Sequence, residues 1–299
     1  MNIRILGSAA GGGVPQWNCR CANCEAVRAG SPHVRPRTQS SLAISADERN
    51  WFLLNVSPDV RQQILAFPAL GPPAGKERGQ AIKGCVLTDA ELDHTAGLLL
   101  LREGAPFFVH CTPLVRRWLN RYFPVEQLLA NFAGPAWRDL SLDHPSEIPE
   151  SSLVVQPFEA ERHVPRFVTE DVAADGSVIG LVIQDLKTGG KLLYAPCVGS
   201  LNGPLLSLAK EADAVFLDGT FWSNDEPLRF SKRTSLQMGH VPVSGPQGSL
   251  TWLAGLPAEH RVYIHINNTN PMVNDGGPEF RLVKDSGVRV GADGDMFVL

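Results

Sequence analysis

The chain has 299 residues, of which 43% are hydrophobic and 19% charged, and its 27 Lys and Arg against 31 Asp and Glu give a formal net charge of -4. This composition excludes a disordered or collagen-like chain, and the mild acidic excess argues against nucleic-acid binding through phosphate charge. At about 150 residues per domain the length allows two domains, and one large sheet-based domain is equally compatible with it.

Short β-rich runs alternate with segments of helical apolar spacing. Strands are predicted, in chain order, over residues 3–6, 41–44, 51–55, 82–87, 107–110, 152–155, 178–183, 191–194, 214–217, 261–266 and 296–299. Helices are predicted over residues 60–67, 95–102, 113–122, 207–211 and 246–254. This alternation predicts an α/β architecture in which helices flank the strands.

Three segments interrupt the pattern. Residues 70–79 are rich in Gly, Pro and charge, and residues 159–177 and 223–248 are long and polar. Loops longer than about 12 to 15 residues in a compact domain are usually functional or disordered. The two longer segments therefore have two interpretations. Each is either a functional loop, such as a lid or a substrate wall, or a solvated insertion.

The N-terminal segment lacks the apolar stretch of roughly 7 to 15 residues that a signal peptide needs. The longest aliphatic run, residues 98–101, is far shorter than the roughly 20 residues that cross a bilayer. We therefore expect a cytoplasmic protein without a membrane span, and we expect its six cysteines to be reduced.

The first predicted strand runs into a glycine-rich segment, residues 7–13. Its glycines lack the G-x-G-x-x-G spacing of a dinucleotide site, and no helical pattern follows them. Because glycine has no Cβ, the segment predicts a close approach of the backbone to a neighbouring site.

Three cysteines follow in a C-x-C-x-x-C pattern, Cys19, Cys21 and Cys24. Three thiolates at this spacing can converge on one zinc ion at about 2.3 Å each, and a fourth ligand must come from elsewhere. The pattern therefore predicts a structural Zn²⁺ site. The other three cysteines stand singly in apolar surroundings and are expected to pack in the core, namely Cys85, Cys111 and Cys197.

Four potential metal ligands follow the predicted strand 82–87, namely Asp89, Glu91, Asp93 and His94. Alternate residues of an extended segment share a face, so the three acids can point together while His94 turns in as a helix begins. An acidic helix cap is the alternative, and it explains Asp93 alone. Three acids and an imidazole favour a metal site.

Later strand ends supply further candidates. Asp218 follows the strand 214–217, where turn chemistry is the alternative, and His240 lies in a long loop, where a surface histidine is the alternative. His265 lies in an apolar strand before a polar run, and a hydrogen-bonded core histidine is its alternative. His163 is a weaker ligand candidate. No role is assigned to the remaining histidines, His33, His110, His144 and His260.

The order of these strand-end motifs resembles the metallo-β-lactamase superfamily, whose H-x-H-x-D-H loop follows a strand and is completed by a later Asp and His. Within that superfamily the chain is similar to the pyrroloquinoline quinone (PQQ) biosynthesis protein B family. The similar segments are residues 7–24, 37–41, 55–59, 238–240 and 265–271. This resemblance implies a metallo-β-lactamase-like αββα sandwich that spans residues 1–299 as a single domain.

The resemblance also implies roles for site residues. Asp93 and His94 match the second metal position of the superfamily, Asp218 its bridging acid and His265 its final histidine. His240 lies where related phosphodiesterases carry a catalytic histidine. Asp59, in the similar segment 55–59, is expected to support the site from behind.

Two departures from the superfamily concern metal ligands. Asp89 and Glu91 replace the two leading histidines, and hard oxygen ligands shift the preference toward iron or manganese. His94, His265 and one carboxylate, best Asp93, would form a two-histidine, one-carboxylate set for ferrous iron. Asn268 occupies the position at which related phosphodiesterases complete the cysteine site with a histidine, so it is the candidate fourth zinc ligand, with His265 as the alternative.

Three functions are compatible with these residues. The first is an oxygenase that uses Fe²⁺ and molecular oxygen to hydroxylate the tyrosine ring of a peptide-derived, cross-linked Glu-Tyr precursor of PQQ. In this hypothesis Glu91, Asp93, His94 and His265 hold the metal, with Asp89 as a further candidate. Asp218 orients or supplements it, and His240 moves protons.

The alternatives are a zinc-dependent hydrolase and a carrier of PQQ or its precursor toward the periplasm. A homo-oligomer and contacts with other PQQ biosynthesis proteins are compatible with all three functions.

Overall fold

The computed structural model describes residues 1–132, 134–169, 174–201 and 203–299. In these ranges the strands are β1 (Asn2–Gly7), β2 (Ser41–Ser45), β3 (Trp51–Leu54), β4 (Ile82–Val86), β5 (Phe108–Cys111), β6 (Ala136–Asp139), β7 (Ser146–Glu147), β8 (Leu153–Glu161), β9 (Val178–Asp185), β10 (Lys191–Ala195), β11 (Ala214–Asp218), β12 (His260–Ile264), β13 (Arg289–Val290) and β14 (Met296–Val298). The α-helices are α1 (Ala22–Arg28), α2 (Val60–Ala66), α3 (Leu92–Thr95), α4 (Pro113–Tyr122), α5 (Val125–Leu129), α6 (Gly203–Leu208), α7 (Leu250–Ala254) and α8 (Pro278–Asp285). Short 3-10 helices cover Pro68–Leu70, Ala96–Leu101, Glu226–Arg229, Leu236–Met238 and Pro271–Val273.

The strands form two mixed sheets. The first has the order β14-β1-β2-β3-β4-β5-β6 and the second the order β13-β12-β11-β10-β9-β8-β7. In the first sheet β3, β4, β5 and β6 run parallel, and in the second β10, β11, β12 and β13 run parallel. Each sheet therefore has a parallel half, whose carboxyl-terminal strand ends can carry a functional site.

Alternation along each strand divides the core into three layers. On β3, Phe52 and Leu54 enter the layer between the two sheets, whereas Trp51 and Leu53 pack beneath the outer helices. The second sheet is covered in the same way on its outer face, where Leu253 of α7 packs. Because successive side chains of a strand point to opposite faces, such a strand is apolar throughout when both faces are covered. The result is an αββα sandwich.

Helix α4 shows how local sequence sets an element. Thr112 caps it by accepting a hydrogen bond from the Val115 amide at 3.2 Å, and Pro113 occupies the first turn, where a missing N–H costs nothing. Trp118 and Leu119 then fall on the buried face with Val115, at the spacing of one helical turn.

The predicted strands are found, most of them within two residues at each end. The strand predicted at 152–155 continues to Glu161, so the loop predicted at 159–177 begins later, and its residues 170–173 lie outside the described residues. The helix predicted at 95–102 is found as a 3-10 helix over Ala96–Leu101, and a short α-helix, Leu92–Thr95, precedes it. The helix predicted at 207–211 lies earlier, at Gly203–Leu208.

Among the strands and longer α-helices of the described residues, β6, β7, β13, α1, α5 and α8 were not predicted from sequence. They are short, and several carry little apolar signal. Three of the four residues of β6, for example, are exposed, so its position depends on pairing with β5. Within the described residues, no helix is both long enough and apolar enough to cross a bilayer.

Candidate metal centre

The site lies where strands of both sheets end. Strand β4 ends at Val86 and leads into the acidic segment that precedes α3, while β11 ends at Asp218 and β12 ends one residue before His265. Asp218 pairs in register with Ile264, so the ends of β11 and β12 are adjacent. The rings of His94 and His265 lie 5.1 Å apart, so the two sheets deliver their ligand candidates to one place.

His94 is fully buried and is held from behind by Asp89. Its Nδ1 donates to the two carboxylate oxygens of Asp89 at 2.7 and 2.9 Å. Asp89 also accepts from the Thr88 hydroxyl at 2.7 Å and from the Glu91 amide at 2.9 Å. This arrangement fixes the tautomer and turns Nε2 of His94 toward the cavity. In this structure Asp89 acts through His94, and its direct ligation of a metal stays a prediction.

His265 is held by a hydroxyl relay. It adopts a left-handed backbone conformation with φ of 55°, which few non-glycine residues adopt. Its Nδ1 donates to the Thr220 hydroxyl oxygen at 2.8 Å, and that hydroxyl donates to Asp218 at 2.6 Å. The relay leaves Nε2 of His265 facing the cavity, on the same side as Nε2 of His94.

Asp218 also holds His240, whose Nδ1 donates to it at 2.7 Å. The same carboxylate accepts from the backbone amides of Val198 and Thr220, each at 2.9 Å. The imidazole of His240 stacks on that of His265 with the ring centres 5.7 Å apart. Asp218 thus orients two histidines, and its role as a bridging metal ligand stays a prediction.

The two Nε2 atoms provide the test of whether a metal fits. Both are buried, and neither has a hydrogen-bond partner among the described residues. Each faces the same carboxylate oxygen of Asp93, which lies 3.9 Å from Nε2 of His94 and 3.5 Å from Nε2 of His265. Buried imidazole nitrogens are ordinarily paired. Two unpaired nitrogens that converge with a carboxylate have the geometry and chemistry of a metal site.

Cys197 belongs to this site, and the expectation that it packs in the core is wrong. Its sulfur and the ring nitrogens of His94 and His265 lie within 4.8 Å of one another. Burial raises the pKa of the Cys197 thiol well above its usual value, and the charges of Asp89 and Asp218 raise it further. The thiol is therefore protonated unless a cation lies beside it. By contrast, Cys85 and Cys111 are core residues, as expected.

The charges in the site are strongly coupled. Burial by itself would raise the pKa of Asp93, but the positive charges of His94 and His265 hold it well below its usual range. Burial by itself would lower the pKa of His94, yet Asp89 and Asp93 raise it to about 9. Asp218 likewise raises the pKa of His240 against the effect of burial. A metal that binds here must displace a proton from His94.

A cavity of about 610 Å³ opens over these groups. Glu91 lies on its wall, where its carboxylate is 3.5 Å from Nε2 of His163, the weaker candidate from sequence. Both long loops line the cavity, and Glu161 at the end of β8 lines it too. The first loop contributes His163, Arg166 and Phe167, and the second contributes Arg233, Met238, Gly239 and His240. Gly11 lies so close that a Cβ there would stand 3.1 Å from Asp93, which confirms the expected close approach of the glycine-rich segment.

Asp59 lies further back. It accepts hydrogen bonds from the backbone and side-chain nitrogens of Gln39, at 2.9 and 3.0 Å, and Gln39 in turn accepts from the amide of Gly12 at 3.0 Å. Asp59 thus supports the glycine-rich segment next to Asp93 and does not contact the histidines.

The cysteine cluster is a second, separate site. The sulfurs of Cys19, Cys21 and Cys24 lie within 4.8 Å of one another. The side-chain amide of Asn268 faces all three sulfurs, at 3.1, 3.4 and 3.3 Å, and so occupies the fourth corner of the cluster. His265 points away into the other cavity, which favours Asn268 as the fourth group.

Comparisons with known proteins identify the family of the chain. The model of the beta-lactamase superfamily domain matches residues 50–266. Coenzyme PQQ synthesis protein B from Pseudomonas paraeruginosa is 44% identical over 308 residues, and the alignment covers 98% of this chain and 98% of that protein. The chain belongs to the coenzyme PQQ synthesis protein B family.

Solved structures show the same relationship. The Zn²⁺-bound member of the family from Methylobacterium extorquens has a TM-score of 0.92 and is 37% identical, with 100% of each chain covered. The metallo-β-lactamase fold protein YhfI from Bacillus subtilis shares the fold alone, with a TM-score of 0.65 at 11% identity over 99% of this chain and 98% of its own. The resemblance expected from the sequence and the αββα sandwich are confirmed.

For this member of the coenzyme PQQ synthesis protein B family, sequence reasoning missed two contributors to the centre. Thr220 was not assigned a role, and Cys197 was assigned to the core. The strand-end position of Thr220, two residues after an acid, was a usable signal, because a hydroxyl there can bond the acid in a turn. No sequence signal distinguished Cys197 from a core cysteine.

Proposed function

We propose that the chain is an iron-dependent oxygenase of PQQ biosynthesis, which hydroxylates the tyrosine ring of a peptide-derived, cross-linked Glu-Tyr precursor. The observation that carries the proposal is the convergence of the two unpaired Nε2 atoms, from His94 and His265, with Asp93. Two histidines and a carboxylate are the ligand set of non-haem ferrous oxygenases. Bound iron would supply the one-electron chemistry that activates molecular oxygen.

The chain's own residues would prepare this site. Asp89 and Thr220 hold the two imidazoles in the tautomer that presents Nε2 to the cavity. Glu91 offers a further carboxylate on the wall. With two carboxylates beside two imidazoles, this set is richer in oxygen donors than the histidine-rich sites that favour zinc, so it suits iron better.

The cavity suits an anionic, aromatic substrate. Phe167, Phe221 and Met238 offer apolar surface for a tyrosine ring. Arg166 and Arg233 line the same cavity, and neither forms an ion pair with a carboxylate among the described residues. We assign them to the carboxylates of the precursor. Asp218 occupies Nδ1 of His240, so Nε2 is the nitrogen left to move protons at the substrate.

The cysteine cluster would hold a structural zinc. Three thiolates and a neutral amide oxygen provide four ligands, and the Asn268 amide presents its oxygen to a cation after a half-turn about its last bond. Asn23 donates to the backbone carbonyls of Asn268 and Asn270, both at 2.9 Å, which anchors this segment beside the cysteines.

The test is elemental analysis of anaerobically purified protein, combined with oxygen uptake on the cross-linked precursor with ascorbate as reductant. We expect about one zinc and about one iron per chain, and oxygen consumption in proportion to hydroxylated product. In His94→Ala, iron and oxygen uptake are both lost while zinc is retained. Full product yield under strict anaerobiosis would refute the proposal.

A zinc hydrolase is the second candidate, because the relative from Methylobacterium extorquens is described as Zn²⁺-bound. Its metal would activate a water molecule. Activity that zinc restores and ferrous iron does not, on a phosphodiester or amide substrate, would favour this function over the oxygenase.

A further inference from the structure

A second cavity, of about 540 Å³, lies between α8, β13 and the segment around Arg37. It shares no lining residue with the cavity of the metal centre. The metal centre therefore accounts neither for this cavity nor for Arg37, which lines it.

Arg37 is a buried cation at this cavity, with only 9% of its surface exposed. It donates to the Ser8 hydroxyl at 2.9 Å and to the Gly291 carbonyl. Among the described residues its Nε has no hydrogen-bond partner, and no carboxylate oxygen lies within 4.0 Å of its guanidinium. The nearest counter-charge, Asp293, reaches Arg37 only through the Ser8 hydroxyl, which contacts both side chains. A buried cation that lacks a direct ion pair and keeps an unpaired N–H is suited to an anion.

The carboxylates around the cavity are already engaged. Asp293 is the carboxylate that raises the pKa of Arg37 most. It accepts hydrogen bonds from the backbone amides and the hydroxyls of both Ser8 and Thr38, at 2.6 to 2.9 Å. Asp275 pairs with His33 at 2.8 Å. The other two also have partners, Asp295 with Arg289 and Glu259 with His260.

The remaining cations are available. Arg35 and Lys284 line the cavity, are exposed and form no ion pair among the described residues. Arg261 also lines the cavity, and its buried Nε has no hydrogen-bond partner among the described residues. The cavity therefore carries more positive charge than its own acids neutralise.

The walls of the cavity include aromatic surface. Phe297 contacts the Arg289 guanidinium, which lies 5.2 Å from its ring centre, and the His260 ring at 5.1 Å. Phe280 is half-buried at the same cavity. A ligand that uses both features has a flat apolar body and carboxylates at its edge.

We propose that this cavity is a binding site for a planar aromatic compound with two or more carboxylates, with one carboxylate at Arg37 and another between Arg35 and Lys284. The site is independent of the metal centre, so it stands or falls separately from the oxygenase function. Size is compatible, since pockets of roughly 300 to 1,000 Å³ hold such ligands.

Calorimetric titration with trimesate, a benzene ring with three carboxylates, tests the proposal on the full-length, metal-loaded protein. Lys284→Glu should weaken binding roughly tenfold, because the reversal replaces an attraction by a repulsion. Lys76→Glu makes the same charge change on an exposed loop outside the cavity and should leave the affinity unchanged within about twofold. His94→Ala, which removes a ligand of the metal centre, should also leave it unchanged.

Arg37→Gln provides a second measurement, with circular dichroism to confirm that the variant folds, and it should abolish binding. Three results would overturn the proposal. They are a trimesate affinity that is unchanged in Lys284→Glu, a trimesate affinity that is lost in His94→Ala, and binding of inorganic phosphate that equals that of trimesate at the same concentration. Absence of any trimesate binding to the wild-type protein at millimolar concentration would overturn it as well.

Discussion

The cysteine cluster and the histidine centre are both candidate metal sites, yet they are built in opposite ways. Three of the four groups of the cysteine cluster come from six consecutive residues, the last of which, Cys24, lies in the first turn of α1, and only Asn268 comes from afar. The histidine centre draws its groups from the ends of strands in both sheets, from Asp89 to His265. A local turn can form the first, whereas the second exists only when the sandwich has closed.

The two sites also differ in how their ligand atoms are supported. In the cysteine cluster, backbone amides donate to sulfur, from Cys21 to Cys19 at 3.4 Å and from Gln16 to Cys24 at 3.3 Å. In the histidine centre, side chains support side chains through Asp89 and Thr220. Backbone support survives most substitutions, so side-chain variants should affect the histidine centre more.

The largest expected effect separates the two sites within one short segment. His265→Ala removes a ligand candidate of the histidine centre, and we expect its affinity for ferrous iron to fall at least about 100-fold. Zinc in the cysteine cluster should stay at the wild-type level. Metal analysis of the two sites by competition with a chelator checks this, and equal loss of both metals would break the distinction between the sites.

Asp89→Asn tests whether the hydrogen bonds from His94 Nδ1 to the Asp89 carboxylate support metal binding at Nε2. The amide can still contact His94, but it removes the charge that holds the Nδ1 proton, so we expect iron affinity to fall about 10-fold to 100-fold. Asp143→Asn makes the same change at an exposed position and should have no effect. If Asp89→Asn instead removes iron as completely as His265→Ala does, Asp89 is a direct ligand.

His110 provides a contrast with His94 of the histidine centre, because it is a buried histidine with no carboxylate beside it. Burial, with a smaller effect of Arg138, lowers its pKa to about 4. Its imidazole therefore stays neutral in the folded protein, and the stability it contributes is complete above about pH 6.5 and is lost as the pH falls from there toward 4.

Between pH 7 and pH 5, the free energy of unfolding of the wild type should therefore fall by about 2 kcal/mol more than that of His110→Leu. Urea unfolding at the two pH values measures this difference. Parallel losses in the two proteins would show that His110 does not titrate in this way.

The smallest effect is expected at the fourth corner of the cysteine cluster. Asn268→Ala leaves three thiolates, so zinc should be retained but released about tenfold faster to a chelator. Asn268→His restores a strong ligand and should slow the release below the wild-type rate. An unchanged rate in Asn268→Ala would exclude the amide from the zinc site.

Much of this arrangement could be predicted. The C-x-C-x-x-C spacing indicated the cysteine cluster, and the acids and histidine after the predicted strand 82–87 indicated the second site. Asp89 shows the limit of such reasoning, because period-2 alternation placed it beside Glu91 and Asp93, whereas the structure places it behind His94. The turn into α3 breaks the extended geometry on which that prediction depended.

The sequence by itself determined what depends on neighbours along the chain: the strands, the longer helices and the three cysteines that face one another. Only the tertiary structure decided that Cys197 joins His94 and His265, that Asp218 holds His240 and, through Thr220, His265, and that Arg37 lies buried beside a cavity. The physical reason is distance along the chain. Backbone geometry sets which side chains meet within one turn or strand, whereas contacts between residues far apart depend on how two sheets and their helices pack.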